Sequence, residues 1–183
     1  MADSETRWRK PRQQYAALPF RRAKDGGAEI RLITSRDTGR WVIPKGWPIP
    51  GLKSSAVAAR EALEEAGLVG QIAKRPLGSF TYAKRLDPRT SVVCTVEVFA
   101  FKVKGQRKTW PEKKERQARW FSVAEAAGAV DEPELTALIE RFGAEQARKR
   151  TANEEARPKR APPKTAAPEP KRKGKRAERL EPA

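Results

Sequence analysis

The sequence predicts an α+β domain in which helices and a sheet form layers, an α/β/α sandwich. Short segments of alternating apolar and polar residues, separated by Gly, Pro and Asp, are typical of strands. Segments with apolar residues at helical spacing follow groups of strands instead of alternating with them one by one. This order favours a layered domain over residues 13–143.

The first predicted elements are three strands and a long loop. The segment "QYAALPF" at 14–20 predicts the first strand, and "AEIRLITS" at 28–35 predicts the second, after the turn "KDGG". "WVI" at 41–43 predicts a short returning strand. The loop "PKGWPIPGLKSS" follows, punctuated by three prolines and two glycines.

A helix is predicted next, from a serine cap at Ser54 or Ser55 to Ala66. Gly67 supplies the C-terminal stop. At 100° per residue, one face of this helix is apolar and mostly alanine, which would let it sit close to a sheet: Ala56, Ala59, Ala62, Leu63 and Ala66. Three glutamates are expected on the opposite face.

Four more strands and two helices complete the domain. The strands are "LVGQIAK", "LGSFTYAKRL", "TSVVCTVEVFAFKVKG" and "ARWFS". The helices are "VAEAAGAV" and "PELTALIERFGAEQARKR", and we expect the second to fray past Gly143.

The two ends of the chain differ from the domain in composition. Residues 1–12 are polar, and we expect them to be flexible. Residues 144–183 are rich in Pro, Ala, Lys, Arg and Glu and cannot bury enough apolar surface to offset chain entropy, so they predict a disordered basic tail. This tail either contacts nucleic acid or polyphosphate weakly, or only keeps the chain soluble, and both interpretations stay open.

Composition narrows the chemistry. The net charge of +17 favours polyanionic partners. The absence of histidine and the single Cys94 exclude Ser-His-Asp and Cys-His sites and the usual zinc sites. No apolar run approaches membrane-spanning length and the N-terminus lacks a signal-peptide core, so we expect a cytoplasmic protein. The sequence leaves the oligomeric state open.

Three like charges crowd one turn of the first predicted helix. Glu61, Glu64 and Glu65 stand at spacing i, i+3, i+4, where each repulsive pair costs roughly 0.2–0.5 kcal/mol. A divalent cation among the carboxylates would offset that cost. Mg²⁺, with Mn²⁺ as a substitute, prefers such hard oxygen ligands, and a metal can activate a water without any histidine.

The stretch from Gly46 to Leu68 resembles the Nudix box, G-x5-E-x7-R-E-U-x-E-E-x-G-U, where U is aliphatic. Gly46 is the opening glycine, and "REALEEAGL" at residues 60–68 supplies the rest. Two positions depart from the pattern, because Leu52 replaces the early glutamate and Ala62 is a small aliphatic. The loss of the early carboxylate puts the number of metal ions in doubt. The flanking order of elements extends the resemblance over about residues 13–142, and implies a mixed β-sheet with the box helix packed on it.

This resemblance implies a hydrolase that splits a diphosphate with metal-activated water. Glu61, Glu64 and Glu65 would be the metal ligands, and Arg60 would orient glutamates through ion pairs. Family members often use one more glutamate outside the box, as the general base or as a further metal ligand. We favour Glu115 for that role; Glu112 and then Glu97 are the alternatives.

The segments "LPFRR", "VIPKGWP" and "WPEKKER" resemble the Nudix branch of diphosphoinositol polyphosphate and dinucleoside polyphosphate hydrolases. The expected substrate is therefore a polyphosphorylated small molecule, and bidentate arginines suit clustered phosphates. The candidate substrate-binding residues are Arg21, Arg22, Arg40, Lys45 and Gly46. Two other functions stay open: a catalytically weak Nudix fold that binds polyanions, and an RNA 5′-end pyrophosphohydrolase.

Overall fold

The computed structural model describes residues 11–86 and 90–156, which form one sheet and three helices. The strands are β1 (Arg12–Arg22), β2 (Ala28–Thr34), β3 (Trp41–Val42), β4 (Lys45–Gly46), β5 (Leu68–Ile72), β6 (Gly78–Arg85), β7 (Ser91–Gln106) and β8 (Ala118–Ser122). The helices are α1 (Ser54–Ala66), α2 (Val123–Ala129) and α3 (Pro133–Glu155). No helix in the described part of the chain combines the length and hydropathy that crossing a membrane requires.

The sheet is mixed, as the family resemblance implies. Its main path runs β3-β2-β1-β7-β5, and β4, β6 and β8 pair with β1, β7 and β2. The central strands β1 and β7 are parallel, with Arg12 opposite Cys94 and Phe20 opposite Lys102, while the other pairs are antiparallel. Cys94 is fully buried in this centre, as expected for an inert thiol.

Helices cover both faces of the sheet. Successive side chains of β1 point to opposite faces, so Ala16 and Leu18 join a core with α2 and α3. Ala17 between them joins a second core with α1. The predicted α/β/α layering is therefore confirmed.

Helix α1 ends as predicted but begins differently. Gly67 adopts φ 68°, a left-handed conformation that favours glycine, and its N–H donates to the Leu63 carbonyl at 2.9 Å. The prediction of a serine cap is wrong, because the N-cap is Lys53 and no side chain caps the helix. The buried face is also rotated from the predicted one: Ala56 is exposed, and Val57, Ala58 and Glu65 are buried.

The boundary at Gly143 is not where the ordered chain ends. Helix α3 continues to Glu155, which corrects the prediction that residues 144–183 are disordered as a whole. At Gly143 the helix passes so near Val123 that a Cβ would overlap its side chain. The glycine therefore permits close packing of α2 and α3 and does not stop the helix. The remainder of the predicted tail, residues 157–183, and the predicted flexible residues 1–10 lie outside the described residues.

Candidate active site

The first box glutamate lies against the opening glycine of the motif. Gly46 on β4 pairs with Tyr15 of β1. A Cβ placed on Gly46 would overlap both carboxylate oxygens of Glu61. A residue without a side chain is therefore needed here, because the carboxylate occupies the space where a side chain would be.

Glu65 is the most buried of the three box glutamates. The residue is 8% exposed. Its Oε2 accepts a hydrogen bond from the Lys45 backbone N–H at 3.1 Å, and its Oε1 accepts from Arg116 Nη2. Burial raises the pKa of Glu65, and the charge of Arg116 is the largest effect opposing that rise.

Arg116 joins the box helix to the loop before β8. Its side chain is 7% exposed, and three acceptors receive its N–H groups. Nη2 donates to Glu65, Nε donates to Glu112 Oε2 at 2.6 Å, and Nη1 donates to the Thr34 carbonyl at 2.9 Å. The sequence analysis did not select Arg116. The available signal was its i, i+4 spacing from Glu112 in a loop rich in charge.

Glu64 forms the ion pair that the motif suggests for Arg60. Arg60 Nε lies 2.7 Å from Glu64 Oε1, and both side chains are substantially exposed. The Glu64 backbone carbonyl accepts from the Glu112 N–H at 3.1 Å. This contact fixes Glu112 beside the last turn of α1.

The two candidate glutamates outside the box occupy different surroundings. Glu112 is 20% exposed, shares Arg116 with Glu65, and its charge acts on Glu61. Glu115 is 50% exposed and pairs with Arg36 at 3.2 Å. The structure therefore brings Glu112 to the box glutamates. It leaves Glu115, the favoured candidate, in a more exposed position paired with Arg36. Glu97 lies on β7 opposite Tyr15.

The charge of Glu61 is poorly balanced. Burial, and then the charges of Glu65, Glu64 and Glu112, raise the pKa of Glu61 to about 7, and only Arg60 acts in the other direction. Within residues 11–86 and 90–156, no hydrogen bond or ion pair reaches its carboxylate. A cation at this position would favour the ionised form.

Basic side chains surround two aromatic rings next to Gly46; we call this group the cationic rim. Lys45 Nζ and Arg40 Cζ lie 5.2 and 5.8 Å from the centre of the Tyr82 ring. Lys84 Nζ and Arg12 Cζ lie 4.9 and 5.9 Å from the centre of the Trp47 ring. These four basic residues and two rings are the whole of the cationic rim.

The cationic rim carries charge that an anion would stabilise. The pKa of Lys45 is lowered to about 8, mainly by burial and also by the charges of Arg40 and Lys84, while Glu65 and Glu132 oppose this shift. Arg40 is already held by Glu132, with Nη1 2.6 Å from Oε1. A phosphate near Lys45 would favour its protonated form and raise its pKa.

Arg21 and Arg22 are not near the box. Arg21 pairs with Glu29 at 2.6 Å and stacks over Trp120 at 4.2 Å, and Arg22 lines a cavity beside the second half of α3. Along β1, Arg22 is six residues beyond Ala16, the partner of Lys45, which is about 20 Å in a strand. Of the predicted substrate-binding set, the structure gathers only Arg40, Lys45 and Gly46 at the box.

A cavity of about 540 Å³ opens beside the acidic cluster. Arg116 and Glu115 contribute to one wall, and Arg36 and Trp41 lie among its other lining residues. Its size is typical of a small-molecule site. Arg116 connects this cavity to Glu65 and Glu112, and the Lys45 N–H connects the cationic rim to Glu65.

The carboxylate oxygens of these glutamates suit a hard divalent cation. In this structure, however, Glu64 pairs with Arg60, and Glu65 and Glu112 pair with Arg116. In the described part of the chain, no three acidic side chains converge closely enough to hold an ion as they stand. Mg²⁺ needs only one or two carboxylates, because it keeps several waters. Among residues 11–86 and 90–156, no side chain bonds to the Glu61 carboxylate, and Glu64 forms an ion pair with the exposed Arg60, a kind of pair worth about 0–1 kcal/mol. These two ligands are therefore available to a cation at small cost.

Comparisons with known proteins agree with this fold. The model of the NUDIX domain matches residues 11–142. Nudix hydrolase 21, chloroplastic, of Arabidopsis thaliana is 33% identical over 135 residues, covering 72% of this chain and 66% of its own length. Diphosphoinositol polyphosphate phosphohydrolase 3-beta of Bos taurus is 30% identical over 118 residues, covering 63% of this chain and 66% of its own.

The solved structure of a C. elegans Ap4A hydrolase shares the fold. Its TM-score is 0.57 at 19% identity, over 74% of this chain and 98% of that one. The chain spans about half to two thirds of the first two curated relatives it matches. Because the family model covers most of the chain, and the box residues surround one acidic cluster, the chain belongs to the Nudix family of hydrolases, which act on phosphorus-containing acid anhydrides.

Proposed function

We propose that this protein hydrolyses a phosphoanhydride bond of a polyphosphorylated small molecule in a Mg²⁺-dependent reaction, with water as the nucleophile. One observation carries the proposal. Glu61, Glu64 and Glu65 lie on the last turns of α1 beside Glu112, and burial together with the charges of the other three raises the pKa of Glu61 to about 7. Such a cluster is costly in a folded protein unless a cation or substrate uses it.

Glu61, Glu64 and Glu65 would hold the metal ion, and Mn²⁺ would fit the same oxygen donors. When bound, the ion polarises the phosphoryl group and lowers the pKa of a water. Arg116 and the Lys45 N–H orient the Glu65 carboxylate, and Arg60 orients Glu64. We assign the role of general base or further metal ligand outside the box to Glu112 in place of Glu115.

The cationic rim supports a substrate with several phosphates. Its four basic residues lie around Trp47 and Tyr82, so they suit clustered phosphates beside a ring. The names of the bovine relative and of the C. elegans structure point to the same class. The proposed substrates are a nucleoside diphosphate derivative, a dinucleoside polyphosphate or a diphosphoinositol polyphosphate.

The test is a substrate panel with the purified full chain in Mg²⁺, Mn²⁺ or chelator. Glu61→Gln and Glu64→Gln should each lower kcat by on the order of 10²–10⁴-fold. Glu140→Gln, at an exposed site on α3, is the matched control and should leave kcat unchanged. Electron paramagnetic resonance of Mn²⁺ gives a second readout: the ion should bind the parent and the control and bind both box variants more weakly. Equal turnover in all forms would refute the metal assignment.

Two observations keep other functions as outcomes of this test. Leu52 stands where the motif has a glutamate, and it is 44% exposed, so tight substrate binding without turnover would favour a polyanion-binding module. Residues 157–183 are strongly basic. Faster turnover on RNA 5′ ends than on small molecules, lost on deletion of those residues, would favour an RNA pyrophosphohydrolase.

A cytoplasmic location is part of the proposal. Cys94 is the single cysteine, so the chain cannot form an internal disulfide, and it is buried in a core strand. This fits a reducing compartment, and cell fractionation tests it.

A further inference from the structure

A second cavity, of about 1230 Å³, lies on the face of the sheet that carries α2 and α3. We call it the α3 cleft. Its walls are the end of β1, the β1–β2 turn, the β5–β6 loop, the start of α2 and the second half of α3. Its floor residues Phe20 and Ala100 pack on the core that includes α2 and α3, while α1 packs on the other core. The sheet therefore separates the α3 cleft from the box glutamates.

The continuation of α3 past Gly143 builds one wall of this cleft. Gly143 lets the helix pass close to Val123. Farther along, Arg150 Nη1 donates to the Asp25 carbonyl at 3.4 Å, and its side chain rests on Gly26, whose φ of 86° favours glycine. The wall is thus fixed at both ends. Arg150 Nε is buried there without a hydrogen-bond partner among the described residues.

The rim of the α3 cleft has an excess of positive charge. Six basic and two acidic residues line it: Arg21, Arg22, Arg75, Lys102, Lys149, Arg150, Asp25 and Glu145. Arg21 and Lys149 are in ion pairs. In the described part of the chain Arg22, Arg75 and Lys102 are exposed and form no ion pair. These three cations are free to bind an anion.

The floor of the same cleft is apolar. Phe20 and Phe142 form an edge-to-face pair with centres 4.8 Å apart, and Pro76, Leu77 and Ala100 continue the surface. A simple inorganic anion would use only the rim. A ligand with an apolar ring and a phosphate chain would use both the floor and the rim.

We propose that the α3 cleft is a second ligand site that binds a nucleotide, with its phosphates on Arg22, Arg75 and Lys102 and its base on the apolar floor. The sheet lies between this site and the box helix α1, so the two sites are separate. The strongly basic residues 157–183 do not suit the cleft as a ligand, because they have the same sign of charge as its rim. The proposal does not depend on the reaction at the box.

The test uses ADP in chelator, where metal-dependent turnover is absent. Amide resonances of the full-length protein report the place of binding: those of Ala73, Ala100 and Gly143 should shift, and those of Gly46 and Gly67 should shift less. Calorimetry compares ADP with inorganic pyrophosphate, which has the same number of phosphates but lacks the ribose and base. We expect ADP to bind at least about tenfold more tightly, roughly the effect of one good apolar contact.

Charge variants test the rim. The triple variant Arg22→Glu, Arg75→Glu, Lys102→Glu should weaken ADP binding at least tenfold. A matched control changes three exposed lysines that lie within two residues of these positions but do not line the cleft: Lys24→Glu, Lys74→Glu, Lys104→Glu. It has the same net charge and should weaken binding clearly less than the rim variant, because its side chains do not line the cleft and their charges act on the ligand only through salt-screened solvent. The single variant Arg75→Glu serves if the triple variant is unfolded.

Three results would overturn the nucleotide site. Resonance shifts confined to the box would place the ligand elsewhere. Equal affinity for ADP and pyrophosphate would show that the floor takes no part. Equal weakening by the two triple variants would show that net charge alone attracts the ligand. These readouts do not depend on the proposed hydrolysis. They are made in chelator, and they can be repeated in Glu61→Gln, because Glu61 lies on the other side of the sheet from the cleft.

Discussion

Replacing Arg116 by Gln should cost this protein much of its stability. The guanidinium is 7% exposed and donates to Glu65, Glu112 and the Thr34 carbonyl. Removing it leaves the buried Glu65 with only the Lys45 N–H as a donor. Breaking a buried ion pair in this way costs about 3–5 kcal/mol, against a total stability of about 5–15 kcal/mol. Urea unfolding in chelator measures the difference.

The loss should also depend on pH, with a defined sign. Arg116 opposes the rise in the pKa of Glu65 that burial causes, so the pKa rises further in Arg116→Gln. At low pH the carboxylate takes up a proton and loses its unpaired charge. The loss of stability should therefore be larger at pH 8 than at pH 5.

Arg36→Gln is the control for this experiment. Arg36 also pairs with Glu112 and with Glu115, but its side chain is 55% exposed. We expect a loss below about 1 kcal/mol. If Arg116→Gln lost no more than Arg36→Gln, or lost the same amount at both pH values, the account of a buried arginine balancing the glutamates would be refuted.

Three further predictions concern the glutamate cluster and the end of α3. Gly46→Ala should lower stability by about 1–3 kcal/mol and abolish turnover, because its Cβ overlaps the Glu61 carboxylate; unchanged kcat would contradict this. In chelator, the folded pKa of Glu61 is about 7, above its unfolded value of about 4.3, so ionisation opposes folding. Glu61→Gln should therefore gain stability over the parent as pH rises from 5 to 8, and saturating Mg²⁺ should reverse the order; a gap independent of pH refutes it. Gly143→Ala should destabilise through overlap with Val123, whereas Gly128→Ala, with open space around it, should stabilise by up to about 1 kcal/mol; thermal unfolding compares them.

The order of elements and the end of α1 were predictable because they depend on local signals, except for the two-residue strand β4 (Lys45–Gly46), which lies in the predicted loop and forms by pairing with the distant β1. Alternation marked the strands, and Gly67 marked the left-handed cap. The start of α1 was not predictable in this way. Two adjacent serines both suit the capping position, but the helix begins one residue earlier, with Lys53 as its N-cap. Gly143 misled the prediction because a glycine that ends a helix and one that admits a neighbour look alike in sequence.

The acidic cluster was predicted only in part, for reasons of distance along the chain. The spacing of Glu61, Glu64 and Glu65 fixes their nearness within one helix. The partner of Glu65 comes from Arg116, 51 residues later, and no local pattern reveals such a contact. The position of Glu112 likewise depends on contacts with distant residues, namely its N–H bond to the Glu64 carbonyl and its ion pair with Arg116, which bonds to Glu65.

The end of α1 is fastened to the segment that follows β7. Gln106 Nε2 donates to the Ala66 carbonyl at 2.9 Å, and the Arg107 N–H donates to that of Gly67 at 2.8 Å. The Trp110 ring lies so close to Gly67 that a Cβ would overlap it. Helix end and segment should therefore open together in hydrogen exchange, as one cooperative unit. Glu112 lies on that segment. Its distance from Glu61, Glu64 and Glu65 should therefore stay nearly constant until the helix end and the segment open together.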